Sequence, residues 1–189
     1  KNVYHLPSVV AINRFPTDTQ KEIDLIINKC KNLGVNVVLS DVWAKGSNGG
    51  LELAKEVINL CNEENNFKYS YELENTIENK IETIVKRIYG GKGVIFTPEA
   101  KEQIKRLTDL GFSKLPICIA KTQYSFSDDM TKLGVPENFE VTVREVKISA
   151  GAGFIVALTG SIMTMPGLPK EPAAEKIDVL PTGKIIGLF

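Results

Sequence analysis

The stretch VVAINRFPTDT, residues 9–19, decides how the rest of the chain is read. Val9, Val10, Ala11 and Ile12 form a continuous apolar run, the pattern of a parallel strand buried on both faces. Polar groups then crowd its C-terminal end, where open α/β sheets bind ligands. Thr17-Asp18-Thr19 offers a helix N-cap. KEIDLIINKCKNLG sets Ile23, Ile26, Ile27 and Cys30 on one helical face, with Gly34 as the stop. VNVVLS (35–40) predicts a second buried strand, and DVWAKGSNGG a loop rich in glycine and polar groups. LELAKEVINLCNEE (51–64) predicts an amphipathic helix with Leu51, Ala54, Val57, Ile58 and Cys61 together. This order implies parallel strands joined by right-handed crossovers.

Past the polar connection at 64–75, TIENKIETIVKRIYGG predicts a helix with Ile77, Ile81, Ile84, Val85 and Ile88 on one face. VIF (94–96) reads as a strand, and Thr97-Pro98 opens another helix as cap and first residue. LPICIAK (115–121) reads as a buried strand leading into a loop of about fifteen residues, a length that usually carries function or disorder. FEVTVREVKIS alternates at period two with a slip near Glu145, which predicts a half-exposed, bulged strand. FIVALTG adds a strand, and KIDVLPTGKIIGLF predicts a hairpin turning at Pro181-Thr182-Gly183. The fold class expected is α/β: a parallel-sheet lobe with flanking helices over residues 1–90, followed by a smaller α+β domain, 91–189, with a mixed sheet and a C-terminal hairpin.

Composition narrows the function. The 189 residues are 43% apolar and 24% charged, as in ordinary globular chains. Lys plus Arg equals Asp plus Glu at 23 each, which argues against a general electrostatic grip on nucleic acid. No apolar run approaches the roughly 20 residues of a membrane span. The chain starts at Lys1, almost on top of a strand, and reads as a piece of something longer. Cys30, Cys61 and Cys118 form no C-x-x-C pair, and reduced, buried thiols of a cytoplasmic protein are the plain reading. One histidine, His5, supports neither a His-based triad nor a His-rich metal site.

No G-x-x-x-x-G-K-[ST] phosphate loop occurs; KRIYGGKG follows a helix and reads as its end. Asp128-Asp129 fits a cation site or, more plainly, a turn or cap. SAGAG (149–153) fits an anion nest or a tight interstrand turn. MTMPGLPKEPAAE reads as packing and rigid loop. Phe15 and Trp43 are more informative. Each stands just past a strand in a segment too polar for core, and the chain has one tryptophan. If the strands are neighbours, both rings project from one sheet edge. Rings about 7 Å apart, two van der Waals distances, admit a flat heterocycle between them. The alternative is that the rings plug the core or cover a helix end.

Taken together, VVAINRFPTDT, SDVWAKG, AKTQYSFSDD, VTVREVKISAGAGFIVALTG, MTMPGLPKEPAAEKID and the terminal IIGLF resemble the C-terminal part of formate–tetrahydrofolate ligase, also called 10-formyltetrahydrofolate synthetase. The resemblance runs in the family's order from residue 9 to residue 189 and is weakest around 62–75. It implies a ligase of one-carbon metabolism that joins formate to N10 of tetrahydrofolate with ATP, through formyl phosphate. It implies that Phe15 and Trp43 sandwich the pterin, with Pro16 holding the turn behind Phe15. Asn13, Leu39 and Ser40 would lie near the same cleft, towards the nucleotide. The family's phosphate loop and formyl-phosphate groups belong to its N-terminal half, so no catalytic residue is expected here and this chain alone is expected to be inactive. Mg-ATP, a monovalent cation and a cytoplasmic homotetramer are implied for the full-length enzyme, whose N-terminal half would be this chain's partner. The competing expectations are a non-catalytic folate- or nucleotide-binding module and a purely structural lobe.

Overall fold

The computed structural model describes residues 1–162 and 170–187. MTMPGLP (163–169) and the last two residues of IIGLF lie outside the described residues. The chain is mixed α/β, as its pattern implies. β1 (Val9–Asn13) leads through α1 (Gln20–Asn32) to β2 (Asn36–Ser40). The two strands pair in parallel over five residues, from Val9 opposite Asn36 to Asn13 opposite Ser40. Thr19 caps α1 in a capping box: its hydroxyl accepts from the Glu22 amide, and the Glu22 carboxylate accepts from the Thr19 amide at 2.9 Å.

Two expectations fail in this lobe. β1 is not covered on both faces: Ile12 is buried, but Val10 and Ala11 are exposed. Among the described residues β1 and β2 have no third neighbour, and a lone pair leaves half its side chains without a covering layer. DVWAKGSNGG is also not open loop. It forms a short helix, α2 (Val42–Lys45), and a 3-10 turn (Gly46–Gly50) that runs straight into α3 (Leu51–Cys61). This entry fixes the rotation of α3. Leu53, Glu56 and Leu60 become its partly buried face, and Glu56 accepts from the Asn36 side chain of β2. The stripe Leu51, Ala54, Val57, Ile58 and Cys61 therefore faces outward, with Ile58 60% exposed.

The larger core lies under a second sheet. α4 (Ile77–Ile84), β3 (Gly93–Phe96), α5 (Pro98–Asp109), β4 (Ile117–Ala120), β5 (Glu140–Ser149) and β6 (Phe154–Thr159) follow in order. The strands lie β3-β5-β6-β4, with β3 parallel to β5, β5 antiparallel to β6 and β4 parallel to β6. The register shifts between Val143 and Glu145, as the broken alternation predicts. The extra residue lets Val143 and Val146, three apart, enter one core. That core joins them to Ile155 and Ala157 of β6, Ala100 and Ile104 of α5, and Ile77 and Ile81 of α4. It thus draws in a helix N-terminal to residue 90. α4 runs on into a π-helical turn (Val85–Tyr89), closed by Gly90 at φ +77°. β7 (Asp178–Val179) and β8 (Ile185–Ile186) form the terminal hairpin.

One polar side chain sits in this core. Lys80 is fully buried, and its ammonium donates to the carbonyls of Ser113 at 2.5 Å, Leu115 at 2.7 Å and Leu73 at 3.3 Å. Burial pushes its pKa below the ordinary lysine value, against the pull of Glu74. The long loop after β4 satisfies itself in a similar way: Lys121 donates to the carbonyls of Thr122, Ser125 and Ser127. Asp128 accepts from the Thr142 amide at 2.8 Å and so ties the loop to β5, while Asp129 accepts from the Thr131 amide at 2.9 Å and closes its own turn. SAGAG is a tight interstrand turn, closed on the Ser149 carbonyl. Of the three free cysteines only Cys30 is buried; Cys61 is carried outward by α3, and Cys118 is also exposed.

Candidate ligand site at the ends of β1 and β2

The parallel register brings Asn13 beside Ser40, so both strands end together. The Arg14 amide extends the ladder by donating to the Ser40 carbonyl at 3.0 Å. The next residue on β1's side is Phe15, held by a closed turn. Its amide donates to the Asp18 carboxylate at 2.8 Å, and its carbonyl accepts from the Asp18 amide at 3.0 Å. Pro16 occupies the second position of that turn, where its fixed φ suits the backbone. On β2's side Asp41 leads into α2, which carries Trp43.

Phe15 is 46% and Trp43 67% exposed. Neither ring plugs the core. Ser40 is buried, Leu39 is partly buried and Asn13 is exposed. A recess of about 220 Å³ opens beside Phe15, lined by Arg14, Phe15, Pro16, Asp41, Ala44 and Lys45. A second, of about 630 Å³, includes Leu39, Asp41, Lys45, Asn48 and Gly49 in its wall. Asp41 and Lys45 form the partition between the two. Trp43 stands at the same sheet edge but lines neither recess. The two rings thus share an edge without closing on each other.

Asp41 is the residue that the sequence pattern does not single out. Its carboxylate accepts from Lys45 at 2.8 Å and lies 4.0 Å from the Arg14 guanidinium, with its side chain 17% exposed. The Lys45 hydrogen bond holds its pKa below the ordinary aspartate value; burial opposes this, and the charges of Lys45 and Arg14 add to the lowering. Its backbone is fixed as well. The Asp41 amide donates to the Gly49 carbonyl at 3.0 Å, and its carbonyl accepts from Lys45 at 2.9 Å. Gly49 packs so tightly here that a Cβ would run into the Asp41 carbonyl. The signal available in sequence was Asp41 and Lys45 at helical i,i+4 spacing just past a strand.

A larger cavity, about 810 Å³, lies elsewhere, between Tyr4, Tyr69, Tyr71, Tyr89, Ile84 and Ile117. It contains none of the strand-end residues, so size alone does not mark the site. Among the described residues no three His, Cys, Asp or Glu side chains gather as metal ligands, and no helix is long and apolar enough to cross a membrane.

Paired parallel strands with polar and aromatic groups gathered at their C-terminal ends define an α/β protein, and such strand ends are where open α/β sheets bind ligands. The family model for formate–tetrahydrofolate ligase matches residues 1–189, and the chain belongs to that family. The family's ligase activity and its place in tetrahydrofolate one-carbon metabolism follow from membership, with tetrahydrofolate, ATP and formate as its substrates.

Proposed function

We propose that this chain forms the folate side of the ligase active site. The pterin of tetrahydrofolate lies between Phe15 and Trp43, and Asn13, Leu39 and Ser40 face the nucleotide. The observation that carries this reading is the shared strand end: two exposed rings, Phe15 on the Pro16 turn beside an open recess and Trp43 on α2 at the same edge. Exposed aromatic rings cost solvation unless a ligand covers them, and each stacking contact contributes about 1 kcal/mol beyond area burial.

In this reaction formate is phosphorylated by ATP, which turns a carboxylate oxygen into a leaving group, and N10 of the folate attacks the formyl carbon. Positioning dominates such chemistry. This chain orients the pterin, while the phosphate loop and the formyl-phosphate groups belong to the family's N-terminal half, so the chain alone is inactive. Mg²⁺ in ATP sites is held largely by phosphates with one or two carboxylates. In the full-length enzyme Mg²⁺ would therefore be held mainly by the ATP phosphates. The monovalent cation, the homotetramer and the cytoplasmic location belong to the same reading of the full-length enzyme.

The test is a titration with tetrahydrofolate followed by Trp43 fluorescence, whose signal has one source. Saturable quenching that weakens about 5- to 10-fold in Phe15→Ala is expected from the loss of one stacking contact. A folded chain that shows no quenching overturns the clamp.

A further inference from the structure

We propose that Asp41 is a specificity-determining residue of this site: its carboxylate reads the 2-amino and ring N–H donors on the pyrimidine edge of the pterin, and Lys45 meets the neighbouring 4-oxo group. The inference rests on the folate reading above and adds to it which edge of the ring is recognised and by what.

Phe15 and Asp41 line the same small space, so a flat ring stacked on Phe15 brings an edge to the carboxylate. The two carboxylate oxygens are not equivalent. Oδ2 is occupied by Lys45 at 2.8 Å, whereas Oδ1 has the Arg14 guanidinium at 4.0 Å, beyond hydrogen-bond reach. A partly buried carboxylate with one weakly engaged oxygen is an acceptor for ligand N–H groups. The cations beside it keep it ionised, and an ionised carboxylate offers acceptors only.

The chemistry of the ligand matches this arrangement. The 2-amino-4-oxo pyrimidine ring presents two adjacent donors followed by an acceptor. A carboxylate beside an ammonium presents acceptors followed by donors. Lys45 is 63% exposed and able to swing from Asp41 to a ligand oxygen, while Asp41 is the less mobile partner, its backbone anchored to Gly49 and Lys45. Asp41 also makes no side-chain bond to the start of α2, so its carboxylate is not consumed in capping that helix.

The experiment compares tetrahydrofolate with its 2-deamino analogue, in which hydrogen replaces the amino group. Both are titrated into the wild-type chain and into Asp41→Asn, with Trp43 fluorescence as the readout and urea unfolding as a folding control. Loss of a hydrogen bond to a charged group predicts that Asp41→Asn binds tetrahydrofolate about 10- to 100-fold more weakly. The wild-type chain is expected to bind the analogue more weakly by a similar factor, and the substitution to leave analogue binding nearly unchanged.

Several results would overturn the proposal. Equal wild-type affinity for the two ligands does so without any variant. So does an Asp41→Asn chain that loses both ligands alike, which makes Asp41 a shaper of the pocket. A variant that binds tetrahydrofolate more tightly would show that the cations, meeting the folate's carboxylate tail, dominate the recess. In each of these the clamp itself survives if Phe15→Ala still weakens binding. Absence of wild-type binding sinks the clamp and this inference together.

Discussion

Replacing Lys80 by methionine isolates one ammonium group in an otherwise apolar core. Methionine keeps the length and apolar stem of the side chain and removes the charge. The loss covers two good charge-assisted hydrogen bonds, to the Ser113 and Leu115 carbonyls, and a longer one to Leu73. Bonds of this kind contribute about 1.5–3 kcal/mol each, so the two short ones amount to roughly 3–6 kcal/mol. Against that stands the desolvation of a fully buried ammonium, which methionine relieves and which is worth several kcal/mol. Those two terms roughly cancel, and what remains is the cost of leaving the two closest carbonyls unpaired in apolar surroundings, about 1–2 kcal/mol each. The expected net effect is a loss of about 2–4 kcal/mol. With a urea m-value of about 2 kcal/mol/M, the unfolding midpoint falls by about 1–2 M. The assay is equilibrium urea unfolding followed by far-UV circular dichroism, which reports the helices around this core. A Lys80→Met chain as stable as the wild type, or more so, with an unchanged m-value, would refute the reasoning. It would show that burying the charge costs more than the three carbonyls return.

Two further expectations concern the first lobe. Gly49→Ala forces a methyl against the Asp41 carbonyl and is expected to cost about 1–3 kcal/mol in urea unfolding while weakening tetrahydrofolate quenching of Trp43; an unchanged chain would mean that the backbone there yields easily. Glu22 has its pKa lowered from 4.5 by hydrogen bonds from the Thr19 hydroxyl and then the Thr19 amide, against burial. A carboxylate with a depressed folded pKa stabilises the native state above its unfolded value, and that contribution is lost as pH falls through the folded value. The advantage of wild type over Glu22→Gln in urea midpoint is therefore expected in full near neutral pH and to shrink as pH falls below the ordinary glutamate range. A pH-independent difference would sink it.

Much of the architecture was legible because local signals agreed. Thr19 and Thr97 cap helices where their sequence settings predict caps. The slip at Glu145 announced a bulge, and Pro181-Thr182-Gly183 announced the turn between β7 and β8. What failed was orientation, which no local pattern specifies. The apolar stripe of α3 has a helical period whichever way it faces, and its outward rotation follows from the turn at Gly46–Gly50 and from the Asn36–Glu56 contact. Lys80 left a trace that the pattern reading passed over. It shares the face of Ile77, Ile81 and Ile84, an apolar position occupied by a cation. At the strand ends, Phe15 and Trp43 stood out by residue type. Asp41 did not, because its setting depends on Arg14 from the other strand and on Gly49 from the following turn.

The solitary pairing of β1 with β2 carries a thermodynamic consequence. Only five residue pairs hold this ladder, and each strand keeps an outer row of amides and carbonyls without a strand partner among the described residues. Such a segment opens at a lower free energy than a strand like β5, which is paired on both sides. The proposed ligand groups are therefore mounted on a part of the chain that opens more easily than the second sheet. A molecule that bridges the two strand ends binds only the closed form, so part of its intrinsic affinity is spent on removing the open population. Rigidity at this edge is then a property of the occupied state, conferred by the ligand as much as by the fold.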